Sequence, residues 1–331
     1  MPPLQIRQWT GVRWADLDLT ASTAVQPPGG GGQTSQMLLG IAADGTTNEA
    51  FTSVEAVVGP MGVRRCYSFG GTIPTSMASS PSAPDIGLRT SWLSISNVNP
   101  ANITNGSNDT KLAGFATSVG THPMMLTFNH EPENDGYTPS AFKAAFQHFY
   151  DVIKTANPLI KVGTIFMDWC FDPTSGYNPA SFDPGVGYRD FFGVDTYNFY
   201  HFFNNQSQTT WVLPTDAKWG NGVNRIQRFL DYNTANGGQP VAVGEFGSPN
   251  WNTSGVAGHP PDDGVLSPVG SRKSAWIQTM LEFFEARNCI AMCYFNTDVN
   301  NDYEPSAFLQ ADQPTIDVWS SWTATHTGWP K

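Results

Sequence analysis

The stretch MLTFNHEPEND (125–135) begins as an apolar run and closes on Asn129, His130, Glu131, Glu133 and Asp135. Only 14% of the 331 residues are charged, so this crowding marks a place where ionisable groups are wanted together. A second acid, Glu245, ends the apolar run PVAVGEFG (240–247), where Gly244 and Gly247 let the chain pass close to a ligand. Asp168 and Trp169 close IKVGTIFMDW (160–169), Asp195 and Tyr197 lie in FFGVDTYNF (191–199), and Phe295 and Asn296 end IAMCYFN (290–296). Two carboxyls held about 5–5.5 Å apart suffice to cleave a glycosidic bond with retention of configuration. One stays protonated to assist the leaving group, and the other, ionised, attacks the anomeric carbon. Glu131 and Glu245 are the expected pair.

Such a pair needs a scaffold that brings distant segments to one rim. After residue 36, short apolar runs alternate with helical patterns. Besides the four already quoted, these runs are MLLGIAA (37–43), VRRCYSF (63–69), TSWLSIS (90–96) and MMLTFNH (124–130). Helical spacing places Phe142, Phe146, Phe149 and Ile153 on one stripe of SAFKAAFQHFYDVIKTA (140–156), with Thr138 as N-cap and Pro139 at the first helical position. RKSAWIQTMLEFFEAR (272–287) and NRIQRFLDYNTANGG (224–238) are two further expected helices. Eight strands alternating with helices predict an α/β fold of the (β/α)₈ TIM-barrel type. A doubly wound sheet is the alternative, but no strand is followed by GxGxxG or a P-loop. In a barrel, functional residues gather at the C-terminal ends of the strands, where the polar groups above fall. Asn129, Asp195 and Tyr197 are therefore expected to face a ligand, with Trp169, Phe295 and Trp251 as flat platforms for sugar rings. Core packing explains the tryptophans equally well. Arg64 and Arg65 are adjacent, so one faces the barrel interior and one faces out, and an inward Arg would steady Glu245.

At this point the chain resembles the clan of (β/α)₈ retaining glycosidases. His directly before the strand-four Glu is similar to the family 26 glycoside hydrolases, the β-mannanases and their relatives. The resemblance implies Glu131 as acid/base, Glu245 as nucleophile, His130 as a substrate contact and Tyr197 as a hydrogen-bond donor to the nucleophile. It departs from the family in Pro132-Glu133-Asn134-Asp135, where aromatics usually follow, and in Phe295, where the clan has Trp.

Other chemistries are disfavoured. HExxH fails because position 134 is Asn, so no catalytic metal is expected and no cofactor is required. Asp298, Asn300, Asp302 and Glu304 alternate faintly like a calcium loop, but Tyr303 stands where Gly is wanted. There is no GxSxG elbow. Glu133, beyond Pro132, is expected to be a subsite or solvated residue. Glu245 has the plainer reading of a buried, salt-bridged carboxylate. Cys66, Cys170, Cys289 and Cys293 show no CxxC or zinc spacing and read as free thiols. A net charge of −11 argues against nucleic acid and anionic membranes as partners. No apolar run reaches the ~18 residues of a bilayer span, and the N-terminus does not read as a signal peptide.

Residues 1–26 hold two short alternating runs joined at Thr10-Gly11, expected as a β-hairpin, and the Pro/Gly-rich segment 27–36 reads as a linker to the domain 37–331. Trp9-Thr10-Gly11-x-x-Trp14 resembles leaders of actinobacterial phage tail proteins. That resemblance implies a virion location and a tail or other large-assembly partner bound through residues 1–26. The expected function is a retaining glycosidase acting on a polysaccharide. The alternative is a non-catalytic carbohydrate-binding or structural tail protein on the same barrel.

Overall fold

The structure is a computed structural model, and it describes residues 6–9, 14–17, 37–43, 47–173, 175–197, 222–247, 273–296, 309–311 and 313–326. Trp251, Asp298, Asn300, Asp302, Glu304 and the linker 27–36 lie outside the described residues. The chain divides into two units, Met1–Gln33 and Thr34–Lys331. In the first, β1 (Ile6–Trp9) pairs antiparallel with β2 (Trp14–Leu17), Ile6 opposite Leu17 and Trp9 opposite Trp14.

In the second unit eight parallel strands close into a barrel: β3 (Leu38–Ala43), β4 (Val63–Ser68), β5 (Thr90–Ile95), β6 (Met124–Phe128), β7 (Lys161–Met167), β8 (Phe191–Tyr197), β9 (Val241–Gly247) and β10 (Ala291–Asn296). Around it stand α1 (Asn48–Val58), α2 (Pro100–Thr104), α3 (Asp109–Val119), α4 (Pro139–Ala156), α5 (Pro179–Phe182), α6 (Gly222–Ala235), α7 (Lys273–Glu285) and α8 (Gln313–Thr323). This is a TIM barrel, and each of the eight apolar runs supplies one strand. The fifth run is shorter than the sequence suggested. β7 stops at Met167, and Asp168–Phe171 turn into a 3-10 helix that carries Trp169 away from the strand direction.

Period-two alternation makes two apolar layers of each strand. Leu38, Val63, Trp92, Met125, Ile165, Phe191, Ala242 and Ala291 fill the barrel interior, whereas their neighbours pack against the helices. The outer layer anchors the two strands that carry the glutamates. Phe128 of β6 packs on the stripe of α4, with ring centroids 5.2 Å from Phe149 and 6.1 Å from Phe142. Phe246 of β9 lies 6.1 Å from Trp276 of α7 and 6.0 Å from Trp319 of α8. Truncating such a buried ring costs about 3–5 kcal/mol, so both strand ends are held firmly. Thr138 occupies the N-cap of α4 as expected, but its side chain caps no backbone N–H, and the start rests on Pro139 alone. All four cysteines are buried and unbridged.

Candidate active site

β6 ends at Phe128, yet the backbone goes on bonding to its neighbours. Asn129 N–H donates to Ile95 O at 2.8 Å and Glu131 N–H to Ile165 O at 3.0 Å. Asn129 and Glu131 both take positive φ, +41° and +52°, a region costly for side chains other than glycine. The kink is held because the Asn129 side chain accepts from Val98 N–H at 3.1 Å and donates to Val98 O at 2.9 Å. Asn129, expected to face a ligand, is fully buried with both polar atoms bonded to Val98, so in this structure it clamps the loop. The kink turns Glu131 over the barrel mouth, where Oε2 accepts from Asn134 Nδ2 at 3.0 Å.

Glu245 reaches the same place by a different device. β9 carries a bulge. Val194 pairs with Val243 but Asp195 pairs with Glu245, and on the other side Met292 pairs with Val243 but Tyr294 with Phe246. One extra residue, Gly244, enters the strand and reverses the alternation after it. Glu245 therefore points inward and Phe246 outward; without the bulge Glu245 would face the helices. Glycine suits the bulge, because a Cβ there would sit 2.6 Å from Asp195 Oδ1 and 2.7 Å from Ile165 Cδ1 and force those side chains to shift. Gly244→Ala is expected to destabilise the protein by about 1–3 kcal/mol through overpacking. It should also lower turnover by displacing Glu245, measured by thermal unfolding and kinetics side by side.

Both oxygens of Glu245 are engaged. Tyr67 OH donates to Oε1 at 2.5 Å and Tyr197 OH donates to Oε2. His130 Nε2 lies 3.8 Å from Oε1, and its Nδ1 meets Ser96 Oγ at 3.1 Å. Burial, then the Arg65 charge, push the His130 pKa down to about 3, so the imidazole is neutral. Arg65 is the inward arginine. It donates to Ser94 Oγ at 2.7 Å, and its guanidinium lies 4.7 Å from the Tyr67 ring and 5.0 Å from that of Trp92. Burial opposes its charge, but Tyr67, Glu245 and Asp195 outweigh that and raise its pKa. Arg64 faces outward, 3.7 Å from Asp85. Two phenol donors with a buried cation beneath them suit a carboxylate anion. The plainer reading of Glu245 as a structural ion pair does not describe it, since hydroxyls rather than a basic side chain hold its oxygens.

One oxygen each from Glu131, Asp195 and Glu245 lies within 4.8 Å of the others. Asp195 is fully buried, with no hydrogen-bond donor on either oxygen. Burial, and then the charges of Glu245 and Glu131, raise its pKa well above the usual carboxylate range. It sits there, fully buried, as a neutral acid. Asp195, expected to face a ligand, is thus buried among the carboxyls in this structure. Burial, then Glu245 and Glu133, push the Glu131 pKa up to about 8. Three carboxylates could ligate a cation, but Glu245 already has a tyrosine on each oxygen and Arg65 supplies positive charge from below. The donor set suits a shared proton better than a metal.

Glu133 is not solvated as expected. It is buried, Oε1 accepts from Met167 N–H at 2.5 Å, and burial raises its pKa to about 7. Trp169 is half-buried with Tyr177 edge-on at 4.5 Å, and Phe295 stands perpendicular to Tyr197 at 5.8 Å. Tyr67 escaped the sequence reading altogether. The available signal was the period of two in VRRCYSF, which places residues 65 and 67 on one face.

No model of a protein family matches the sequence, and neither does any curated relative. Solved structures do match. The modular endo-β-1,4-mannanase of Cellulomonas fimi, of glycoside hydrolase family 26, superposes with a TM-score of 0.55 at 12% identity, over 89% of this chain and 72% of that one. The catalytic domain of the family 26 endo-β-1,4-mannanase of Bacillus sp. JAMB-750 gives 0.55 at 14%, over 89% and 88%. A β-1,3-glucanosyltransferase of Rhizomucor miehei gives 0.51 at 13%, over 84% and 93%. At these identities the likeness is one of fold. By name these three are enzymes of glycan processing, and what this chain shares with them is the fold.

Proposed function

We propose that the protein is a retaining glycoside hydrolase acting on a polysaccharide. The observation that carries this reading is the approach of Glu131 and Glu245, whose nearest oxygens lie within 4.8 Å, close to the about 5–5.5 Å of double displacement and short of the ~6.5 Å or more that leaves room for an inverting water. The environments of the two carboxyls differ in the required sense. Glu131, at the mouth among other acids, keeps its proton at neutral pH and gives it to the departing glycosidic oxygen. Glu245, held by Tyr67 and Tyr197, attacks the anomeric carbon and forms a glycosyl ester. Glu131, now a base, takes a proton from water, which displaces the sugar from Glu245 and regenerates both groups. Neutral His130 beside Glu245 is placed to donate or accept a hydrogen bond at a sugar hydroxyl.

Incubation with activated 2-deoxy-2-fluoro glycosides of the glucose, mannose and galactose series tests the reading. A covalent adduct on Glu245, located by peptide mass spectrometry, is expected. Glycan binding without any adduct would favour a barrel that binds carbohydrate but no longer turns it over.

The setting is part of the same proposal. The Trp-Thr-Gly-x-x-Trp leader and its paired strands β1 and β2 support an attachment segment that tethers the enzyme to a phage tail or a comparable assembly, where it would open host surface glycan. Assembly that survives deletion of residues 1–33 would remove that part and leave the chemistry standing.

A further inference from the structure

Exposed apolar side chains divide between the two ends of the barrel. The aliphatic ones, Val57, Ile86, Leu88, Leu159 and Val186, each precede a strand by a few residues and so lie at the N-terminal end, away from the carboxyls. Among the described residues the two exposed aromatics, Phe69 and Tyr177, follow strands and lie at the end that carries the carboxyls. Tyr177 belongs with Trp169 beyond β7, next to the strand that carries Glu131. Phe69 directly follows β4, two strands to the other side of β6.

Phe69 is 55% exposed, yet its position is built rather than left over. Gly70 and Gly71 follow with φ of +69° and +73°, a turn that other residues enter only under strain. Gly71 N–H donates to Ser96 O at 3.1 Å, Thr72 N–H to Phe69 O at 3.4 Å, and Ser68 Oγ to Thr72 O at 2.7 Å. A Cβ at Gly71 would lie 2.8 Å from Asn97 O, so the turn is pressed against the loop after β5. The Phe69 ring stacks on Tyr67 at 5.3 Å and 19°. Tyr67 in turn carries the hydrogen bond to Glu245. A flat apolar face is thus fixed one ring away from the partner of the nucleophile, in water, beside polar groups. A sugar presents the matching surface, an apolar C–H face rimmed by hydroxyls.

We propose that Phe69 is the stacking platform for the sugar unit adjoining the one transferred to Glu245, on the side away from the leaving group. Trp169 and Tyr177, beside Glu131, then serve the leaving-group side. The catalytic centre lies between two aromatic platforms, and the substrate is a chain engaged on both sides of the scissile bond. This inference rests on the glycosidase reading.

Migration of Glu245→Gln protein through native gels containing galactomannan, mixed-linkage β-glucan or arabinogalactan tests it, alongside the same protein with Phe69→Ala or Phe69→Trp added. Because the ring is mostly exposed, its truncation leaves the core intact, which equal thermal unfolding verifies. A glycan that retards the Glu245→Gln protein should bind the Phe69→Ala double variant about tenfold more weakly, and Phe69→Trp should restore it. Equal retardation of all three proteins overturns the platform, as does the absence of retardation by any of the three glycans. The fluoro-sugar adduct needs only the unit bonded to Glu245. An adduct on the wild type with retardation indifferent to Phe69 therefore sinks this inference alone, whereas no adduct sinks the glycosidase reading.

Discussion

On the proposed mechanism, replacing Glu245 with alanine is expected to lower kcat on the order of 10⁴-fold or more, because the group assigned to form the covalent bond would be gone. Tyr67 and Tyr197 donate to the Glu245 carboxylate and so are not placed as bases, and Asp195 is fully buried. The truncation opens a space on the face from which Glu245 would attack. Azide entering that space displaces the leaving group once, with Glu131 still able to protonate it. Turnover of an activated glycoside should then return with added azide, and the product should be a glycosyl azide of inverted configuration, identified by NMR. Wild-type turnover in Glu245→Ala would end the assignment, as would an azide product of retained configuration.

The second large effect concerns Glu131. Glu131→Ala is expected to cost about 10²–10⁴-fold in kcat for a substrate with a poor leaving group, the range for loss of a positioned acid. A dinitrophenyl glycoside needs no protonation to depart, so its first step should survive. The missing base should then let the glycosyl-enzyme accumulate, visible as a burst, and azide should release a product of retained configuration. The pH profile gives an independent sign. The Glu131 carboxyl keeps its proton up to about pH 8, so wild-type activity should hold through neutrality and fall as pH rises through that value. The variant should lack that alkaline limb. The same raised pKa has a cost. The unfolded chain releases this proton near 4.5 while the folded one holds it to about 8, so stability falls as pH rises across that window. Placing carboxyls together raises the pKa of one of them, and the fold bears the repulsion.

Much of this was legible beforehand. Eight apolar runs alternating with helical patterns became eight strands of one closed barrel, and the ionisable strand ends became its mouth. Alternation within VRRCYSF required that one of Arg64 and Arg65 face inward, and the structure chose Arg65, beside the Tyr67 that shares its face. Less legible was where the individual polar side chains near the strand ends would turn. Asn129 bonds Val98, Glu133 bonds Met167, and Asp195 is fully buried.

The amino-acid order by itself determined local features: strand periodicity, the apolar stripe of α4, and the presence of a glutamate at the end of each of two well-separated apolar runs. These depend on residues within a few positions of one another. Tertiary structure alone decided which carboxyl keeps its proton and which accepts two phenols, because those properties come from charges and burial contributed by distant segments. Tyr67 and Glu245 are 178 residues apart in sequence and 2.5 Å apart in space. The inward aim of Glu245 likewise depends on a one-residue slip against β8 and β10, which a strand cannot show until its neighbours are in place.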